Sequence, residues 1–100
     1  MEEYNILIFP QAKQDLLDII DYLNTLSPQA AIKQYDSIIE KIGSLAVMPN
    51  RCPMLKLLQL RQRGYRTLVV DNYSVFFIVN ENTAEIRRIL YGRRKYEWLL

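Results

Sequence analysis

Hydrophobic positions in the first half of the chain follow the spacing of a short strand and two helices. Tyr4–Phe9 is rich in β-branched and aromatic residues and predicts one strand. Apolar residues then recur every three or four positions over Ala12–Leu26 and again over Ala31–Leu45, which predicts two amphipathic helices. Ser27-Pro28 separates them and places a capping serine before a proline at the first helical position. So short a break predicts an antiparallel helix hairpin over roughly residues 11–48.

The second half of the chain changes from helical to strand-like spacing. After an irregular stretch, Asn50–Gly64, three β-rich runs cover Tyr65–Val70, Tyr73–Val79 and Glu85–Tyr91. Short polar links separate the runs and carry residues that favour turns, so we predict an antiparallel meander. The last segment, Gly92–Leu100, is interpreted as a short C-terminal helix.

Together the two patterns predict a single α+β domain. The order is β-α-α-β-β-β and a short closing helix, with the helix hairpin packed on one face of a small antiparallel sheet. A length of 100 residues is typical of one domain, which we expect to span residues 1–100. A chain of this size has little room for an enclosed substrate cavity. A function exerted at the surface, on a large partner, is therefore favoured.

Composition excludes several classes of function. The chain has no histidine, which excludes His-based triads and general bases and most metal sites, and we expect neither metal nor cofactor. No paired carboxylates suited to catalysis stand out, and Asp15, Asp18 and Asp21 are interpreted as the solvated side of the first helix. The longest apolar run is far shorter than the ~20 residues of a membrane span. The acidic start and the lone Cys52 favour a cytoplasmic protein without an export signal or a membrane partner.

Charge is distributed unevenly along the chain. Residues 1–50 carry three basic and seven acidic side chains, whereas residues 51–100 carry ten basic and four acidic ones. This asymmetry favours an anionic partner for one face, although arginines on a solvated strand surface would give the same pattern. The candidates for contacting phosphate or an acidic partner are Arg61, Arg63, Arg66, Arg88, Arg93 and Arg94, together with Tyr91.

Arg94 is the leading candidate among these residues. Gly92 allows the chain to turn out of the last strand, which would leave Arg93 and Arg94 at the rim of the sheet. There the planar guanidinium of Arg94 would contact a phosphate or an acidic surface. The alternative is a structural ion pair with Glu97, three residues on in the same short helix.

The remaining candidates lie in or near strands. Arg66 shares its strand face with aliphatic residues, which places it at a solvated strand end or in a groove, and the nearby Arg61 and Arg63 favour the groove. Arg88, on one face with Ile86 and Leu90, has the same two interpretations. Tyrosines beside basic residues can stack on nucleobases, but packing against a neighbouring strand is favoured for each.

Four local sequences, in order and spread over nearly the whole chain, add a more specific signal. They are Pro10-Gln11-Ala12 at the first helix, Ser27-Pro28-Gln29-Ala30-Ala31 at the second, Tyr65–Val70 leading into Tyr73–Phe77, and Ile89-Leu90-Tyr91-Gly92-Arg93-Arg94. With the order of elements, they resemble the RelE/ParE superfamily of bacterial type II toxins. Phe9 departs from the pattern, since the family often has a capping Ser or Thr there. The resemblance implies a toxin encoded beside an antitoxin, whose C-terminal segment wraps the toxin and covers its working face.

The resemblance leaves two branches open. RelE-like members are ribosome-dependent mRNA endonucleases, and such cleavage needs proton-transfer groups and cations around the reacting phosphate. Where that branch has an arginine on the second meander strand and a tyrosine near the C-terminus, this chain has Ser74 and Leu100. Leu68 replaces one lysine of the first meander strand, and Arg66 and Arg94 remain as the phosphate-binding candidates of a nuclease.

ParE-like members bind DNA gyrase and block replication, and the long helix hairpin resembles theirs. These features favour a non-catalytic gyrase inhibitor. The alternatives are an mRNA endonuclease acting with the ribosome, and a degenerate member that binds an antitoxin without toxicity.

Overall fold

A computed structural model, which describes residues 3–92 and 99–100, has the predicted α+β architecture. Its elements are β1 (Asn5–Ile8), α1 (Pro10–Leu26), α2 (Pro28–Gly43), α3 (Leu58–Gln62), β2 (Tyr65–Val70), β3 (Tyr73–Asn80) and β4 (Thr83–Tyr91). Two short 3-10 turns, Ser44–Ala46 and Pro49–Arg51, follow α2. The predicted C-terminal helix falls mainly on residues 93–98, which lie outside the described residues.

Proline and serine fix the ends of the helix hairpin. Pro10 and Pro28 each occupy the first turn of a helix, where the missing N–H of proline costs nothing. The Ser27 hydroxyl accepts a hydrogen bond from the Ala30 N–H at 3.2 Å, as expected of a helix cap. Phe9 occupies the same position before α1 and provides no side-chain cap. The predicted hairpin is therefore confirmed, together with the missing cap.

The sheet has four strands in the order β1-β4-β3-β2. β2, β3 and β4 form the predicted antiparallel meander, and β1 pairs in parallel with β4. The register between β3 and β4 shifts at Phe76 and Phe77, which face Arg88 and Ile86, so Arg87 is an extra residue in β4. This bulge moves Arg88 to the face opposite Ile86. The expectation that the two residues share a face is therefore wrong.

Two apolar clusters lie on opposite faces of the sheet. The larger fills the space between the sheet and the hairpin, and its fully buried side chains include Ile38, Leu45, Val75, Phe77, Ile86 and Ile89. The smaller, on the other face, combines Leu60, Tyr65 and Phe76 with the partly buried Leu55, Ile78, Leu90 and Leu100. Leu60 comes from α3, a single helical turn within the stretch predicted to be irregular. Among the described residues, no helix is long and apolar enough to cross a membrane.

Candidate partner-binding surface

A buried ion pair joins α1 to the edge of the sheet. β1 pairs with β4 only as far as Ile86. Beyond that residue, the Asp15 side chain of α1 contacts the edge of β4. Its Oδ2 accepts from the Ile89 N–H at 2.9 Å and from Arg88 Nε at 2.7 Å, and its Oδ1 accepts from Arg88 Nη2 at 2.9 Å. Asp15 is only 8% exposed. Its assignment to the solvated side of the helix is therefore wrong, although Asp18 and Asp21 are exposed as expected.

The Arg88 guanidinium is therefore used in contacts within the fold. The hydrogen bond from its guanidinium to Asp15 raises the pKa of Arg88, which therefore stays charged. The remaining nitrogen, Nη1, donates to the Leu99 carbonyl at 3.3 Å. The guanidinium thus holds the helix, the strand edge and the described end of the chain together.

Arg66 performs a similar task for the loop before α3. Its Nη1 donates to the carbonyl of Cys52 at 2.7 Å and to that of Asn50 at 3.1 Å. Next to it, the loop pairs with the outer edge of β2 through a hydrogen bond from the Thr67 N–H to the Pro53 carbonyl at 3.1 Å. The Arg66 side chain therefore lies against this loop, with the loop's carbonyls as its partners.

Arg61 and Arg63 diverge although they are neighbours in sequence. Arg61 is exposed on α3. Arg63 follows the helix, lies over the Tyr65 ring at 5.0 Å and donates to the Leu100 carbonyl at 2.9 Å. The structure brings Arg63 and Arg88 to one groove and places Arg66 elsewhere, while Arg93 and Arg94 lie outside the described residues.

We call the shared site the arginine groove, an open depression of about 420 Å³. It is lined by Phe9, Pro10, Gln11, Arg63, Tyr65, Arg87, Arg88, Leu99 and Leu100. The Arg87 guanidinium lies over the Phe9 ring at 4.3 Å and contacts Glu85 at 2.8 Å. Arg87 was not among the residues predicted from the sequence, although strand alternation with Ile86 is enough to place it on this face; the bulge in β4 brings Arg88 to the same face. No sequence pattern reveals that bulge.

A second, larger groove of about 690 Å³ lies between the helices and the sheet, where β3 begins and β4 ends. We call it the aromatic groove; its lining is Asp18, Ile19, Tyr22, Leu23, Gln34, Asn72, Tyr73 and Tyr91. The Tyr73 and Tyr91 rings meet edge to face with centroids 5.5 Å apart. Burial, followed by the neighbouring phenols of Tyr91 and Tyr22, raises the pKa of Tyr73. Tyr91 thus packs across strands as favoured, while the residue as a whole is 60% exposed at the rim.

Two of the three positions at which the nuclease pattern is altered, Ser74 and Leu100, make specific contacts within the fold. Ser74 is buried on β3, and its hydroxyl donates to the Gly92 carbonyl at 2.8 Å. Leu100 packs against the smaller apolar cluster. Cys52 is buried as well, and burial raises the pKa of its thiol in spite of the nearby Arg51 and Arg66. Within residues 3–92 and 99–100, no group of three His, Cys, Asp or Glu side chains could hold a metal ion.

The described residues form an α+β domain in which a helix hairpin packs on one face of a four-stranded sheet. Residues 6–96 match the family described as ParE toxin of the type II toxin-antitoxin system, parDE. The chain therefore belongs to the ParE toxin family. A search of curated proteins finds no match.

Two solved structures are similar to the chain. The first is described as the chromosomal ParDE toxin-antitoxin system from Pseudomonas aeruginosa, with a TM-score of 0.76 and 24% identity over 91% of this chain and 98% of that one. The second is the toxin-antitoxin complex RelBE2 from Mycobacterium tuberculosis, with a TM-score of 0.62 and 18% identity over 89% and 98%. At these identities the similarity shows the fold.

Proposed function

We propose that this toxin is neutralised by a cognate antitoxin and that it arrests growth by binding DNA gyrase, without cutting RNA. The antitoxin is inferred from the family and from the two similar structures, both of which are toxin-antitoxin systems. The mode of action is inferred from the residues at the positions that RNA cleavage would need.

The observation that carries the proposal is the state of Ser74. A nuclease must surround the reacting phosphate with cations, because charge builds up on its oxygens in the transition state. At the position where the nuclease branch has an arginine, this chain has a buried serine whose hydroxyl donates a hydrogen bond to the Gly92 carbonyl. Arg66, the other strand candidate, is held by two backbone carbonyls. Both features favour a toxin that acts by binding.

A supercoiling assay tests this proposal directly. Purified toxin is added to gyrase and relaxed plasmid in the absence of ribosomes, and an mRNA is incubated in parallel with toxin and translating ribosomes. We expect supercoiling to be lost once the toxin exceeds gyrase, with the mRNA intact. The Ser74→Ala variant is the matched control: its hydroxyl serves only the fold in our account, so the folded variant should inhibit equally.

The opposite result would reject the gyrase assignment. Normal supercoiling at a large excess of toxin, together with ribosome-dependent cleavage of the mRNA, would make the chain an endonuclease. Normal supercoiling with intact mRNA would instead indicate a member that binds its antitoxin without poisoning either target.

A further inference from the structure

The helix hairpin exposes large apolar side chains on its outer face, which is turned away from the sheet. On the inner side, residues such as Leu16 and Ile38 pack in the larger apolar cluster. Three apolar residues in the middle of the two helices are exposed instead: Leu17 is 57% exposed, Ile32 64% and Tyr35 44%. Single apolar residues are normal at a protein surface, but a group across two adjacent helices is typical of a face that packs against another protein.

Unpaired charges flank these side chains at matching heights on the two helices. The helices are antiparallel and joined by Ser27 alone, so Asp21, five residues before the end of α1, lies level with Lys33, five residues after the start of α2. In the same way, Lys13 lies level with Glu40 to within one residue. All four side chains are exposed, and none forms an ion pair within the described part of the chain. Each end of the face therefore carries one positive and one negative charge, on different helices.

This pattern is complementary to itself. When a second copy is rotated by 180° about an axis parallel to the helices, its α2 lies on α1 of the first copy at the same height. Lys13 then faces Glu40 of the second copy. Asp21 likewise faces Lys33 of the second copy, and each contact occurs twice by symmetry. Every helix has antiparallel neighbours in this arrangement, as in up-and-down four-helix bundles.

We propose that the outer face of the hairpin binds a second copy of this chain and forms a symmetric dimer with a four-helix interface. The helices are about 25 Å long and adjacent helices are about 9 Å apart, so the face buries on the order of 500 Å² per copy. This area is at the lower limit of specific interfaces, so we expect a reversible dimer with a micromolar Kd. A strongly acidic or basic partner is a poorer match, because the charges at each end of the face balance. The proposal does not depend on which target the toxin poisons.

One residue of this face, Asp36, opposes the dimer. It is exposed and lies level with Leu17 to within one residue, so in the dimer its carboxylate meets the apolar Leu17 of the second copy. Placing a carboxylate against an apolar side chain costs free energy, because the charged group loses water. Asp36→Asn should therefore strengthen the dimer by roughly threefold or more. A residue that served only the solubility of a monomer would have no such effect.

Sedimentation of the full chain over a range of concentrations measures the association. We expect the average mass to rise from one chain to two and to stop there, because a two-fold interface is closed. Leu17→Glu removes an apolar contact and places like charges beside Asp36, so it should weaken the dimer by roughly tenfold or more. Leu58→Glu is the matched control: Leu58 is 62% exposed on α3, and this variant should dimerise like the parent chain.

A charge reversal tests the pairing of the two copies. Lys13→Glu and Glu40→Lys each place like charges opposite one another, and each should weaken the dimer by roughly threefold to tenfold. The double variant restores opposite charges, so its Kd should return towards that of the parent chain. Both positions are exposed, so the variants should remain folded, which circular dichroism checks.

Three results would overturn the proposal. A single chain at every concentration would show that the face does not bind a second copy. An average mass that rises beyond two chains would indicate an open contact between different surfaces. A dimer that is weakened by Leu58→Glu and unaffected by Leu17→Glu would place the interface on another part of the molecule.

Discussion

The two faces of the sheet hold their neighbouring segments by different forces. Against the helix hairpin, the sheet is closed by aliphatic and aromatic side chains such as the fully buried Phe77. On the other face, a smaller apolar cluster around Phe76 is accompanied by Arg63, which binds the Leu100 carbonyl. Arg66 lies opposite Phe77 at the outer edge of the sheet and binds carbonyls of the loop before α3. Hydrophobic burial thus holds the helix hairpin, assisted at the sheet edge by the Asp15–Arg88 pair, whereas charged hydrogen bonds from Arg63 and Arg66 hold irregular segments. A basic half of a sequence therefore overstates the charge that is available to a partner.

The largest expected effect compares neighbouring phenylalanines on β3 that point to opposite faces. Phe77→Ala should lower the free energy of unfolding by about 4 kcal/mol, because it opens a cavity in the larger cluster. Phe76→Ala should cost about 3 kcal/mol or less, since the smaller cluster can close around the gap. Urea unfolding measures both values. Equal losses, or a larger one for Phe76→Ala, would contradict the distinction between the two faces.

The next effect concerns the ion pair at the sheet edge. Asp15→Ala should destabilise the fold by about 2–3 kcal/mol, because it leaves Arg88 without its carboxylate and the Ile89 N–H without its acceptor. Asp21→Ala, at an exposed position of the same helix, is the matched control and should change stability by less than about 0.5 kcal/mol. Similar values for the two variants in urea unfolding would return Asp15 to the solvated side of α1.

A smaller loss is expected at the loop before α3. Arg66→Gln should cost about 1–2 kcal/mol, since a charged donor to the Cys52 and Asn50 carbonyls is replaced by a shorter neutral one. Arg61→Gln removes the same charge from an exposed site and should be close to neutral. Thermal unfolding compares the two variants. If Arg66→Gln were as stable as the parent chain, the arginine would be free for another role.

The smallest expected effect concerns the reactivity of the Cys52 thiol. Because burial raises the pKa of the Cys52 thiol, the folded chain keeps it protonated where an unfolded thiol ionises. At pH 8, a thiol reagent should react roughly tenfold or more slowly with the native chain than with the urea-unfolded chain. Because its pKa is raised on folding, the protonated Cys52 thiol contributes to the free energy of unfolding, and this contribution is complete below the ordinary thiol pKa. It is lost as the pH rises from there through the pKa of the folded state. Equal labelling rates would show an accessible thiol.

Sequence periodicity predicted the elements whose signal is local. The Ser27-Pro28 junction and the two apolar helix faces are sufficient for the hairpin, and the turn residues between the strands are sufficient for the meander. The parallel pairing of β1 with β4 has no local signal, because it joins segments from opposite ends of the chain. The point at which β1 ends nevertheless determines which part of the β4 edge stays unpaired by a strand and is contacted by Asp15.

The candidate site was less predictable for the same reason. The alternation of residues along β4 was assumed to be unbroken, and one extra residue at Arg87 reverses it for Arg88. An acidic residue on a helix looks solvated in sequence, and only the fold places Asp15 against Arg88. Arg63 and Arg88, both predicted as candidates, do meet in one groove, whereas the position of Arg94 at the rim of the sheet stays a prediction.

The most direct test of the central claim is the order in which macromolecular syntheses fail in bacteria that express the toxin. Pulses of labelled thymidine and labelled amino acids are given during the first minutes after induction. A gyrase-binding toxin should stop DNA synthesis first, while protein synthesis continues. An early loss of protein synthesis with cleaved messages would contradict the account, and so would unaffected growth in cells that contain the soluble chain.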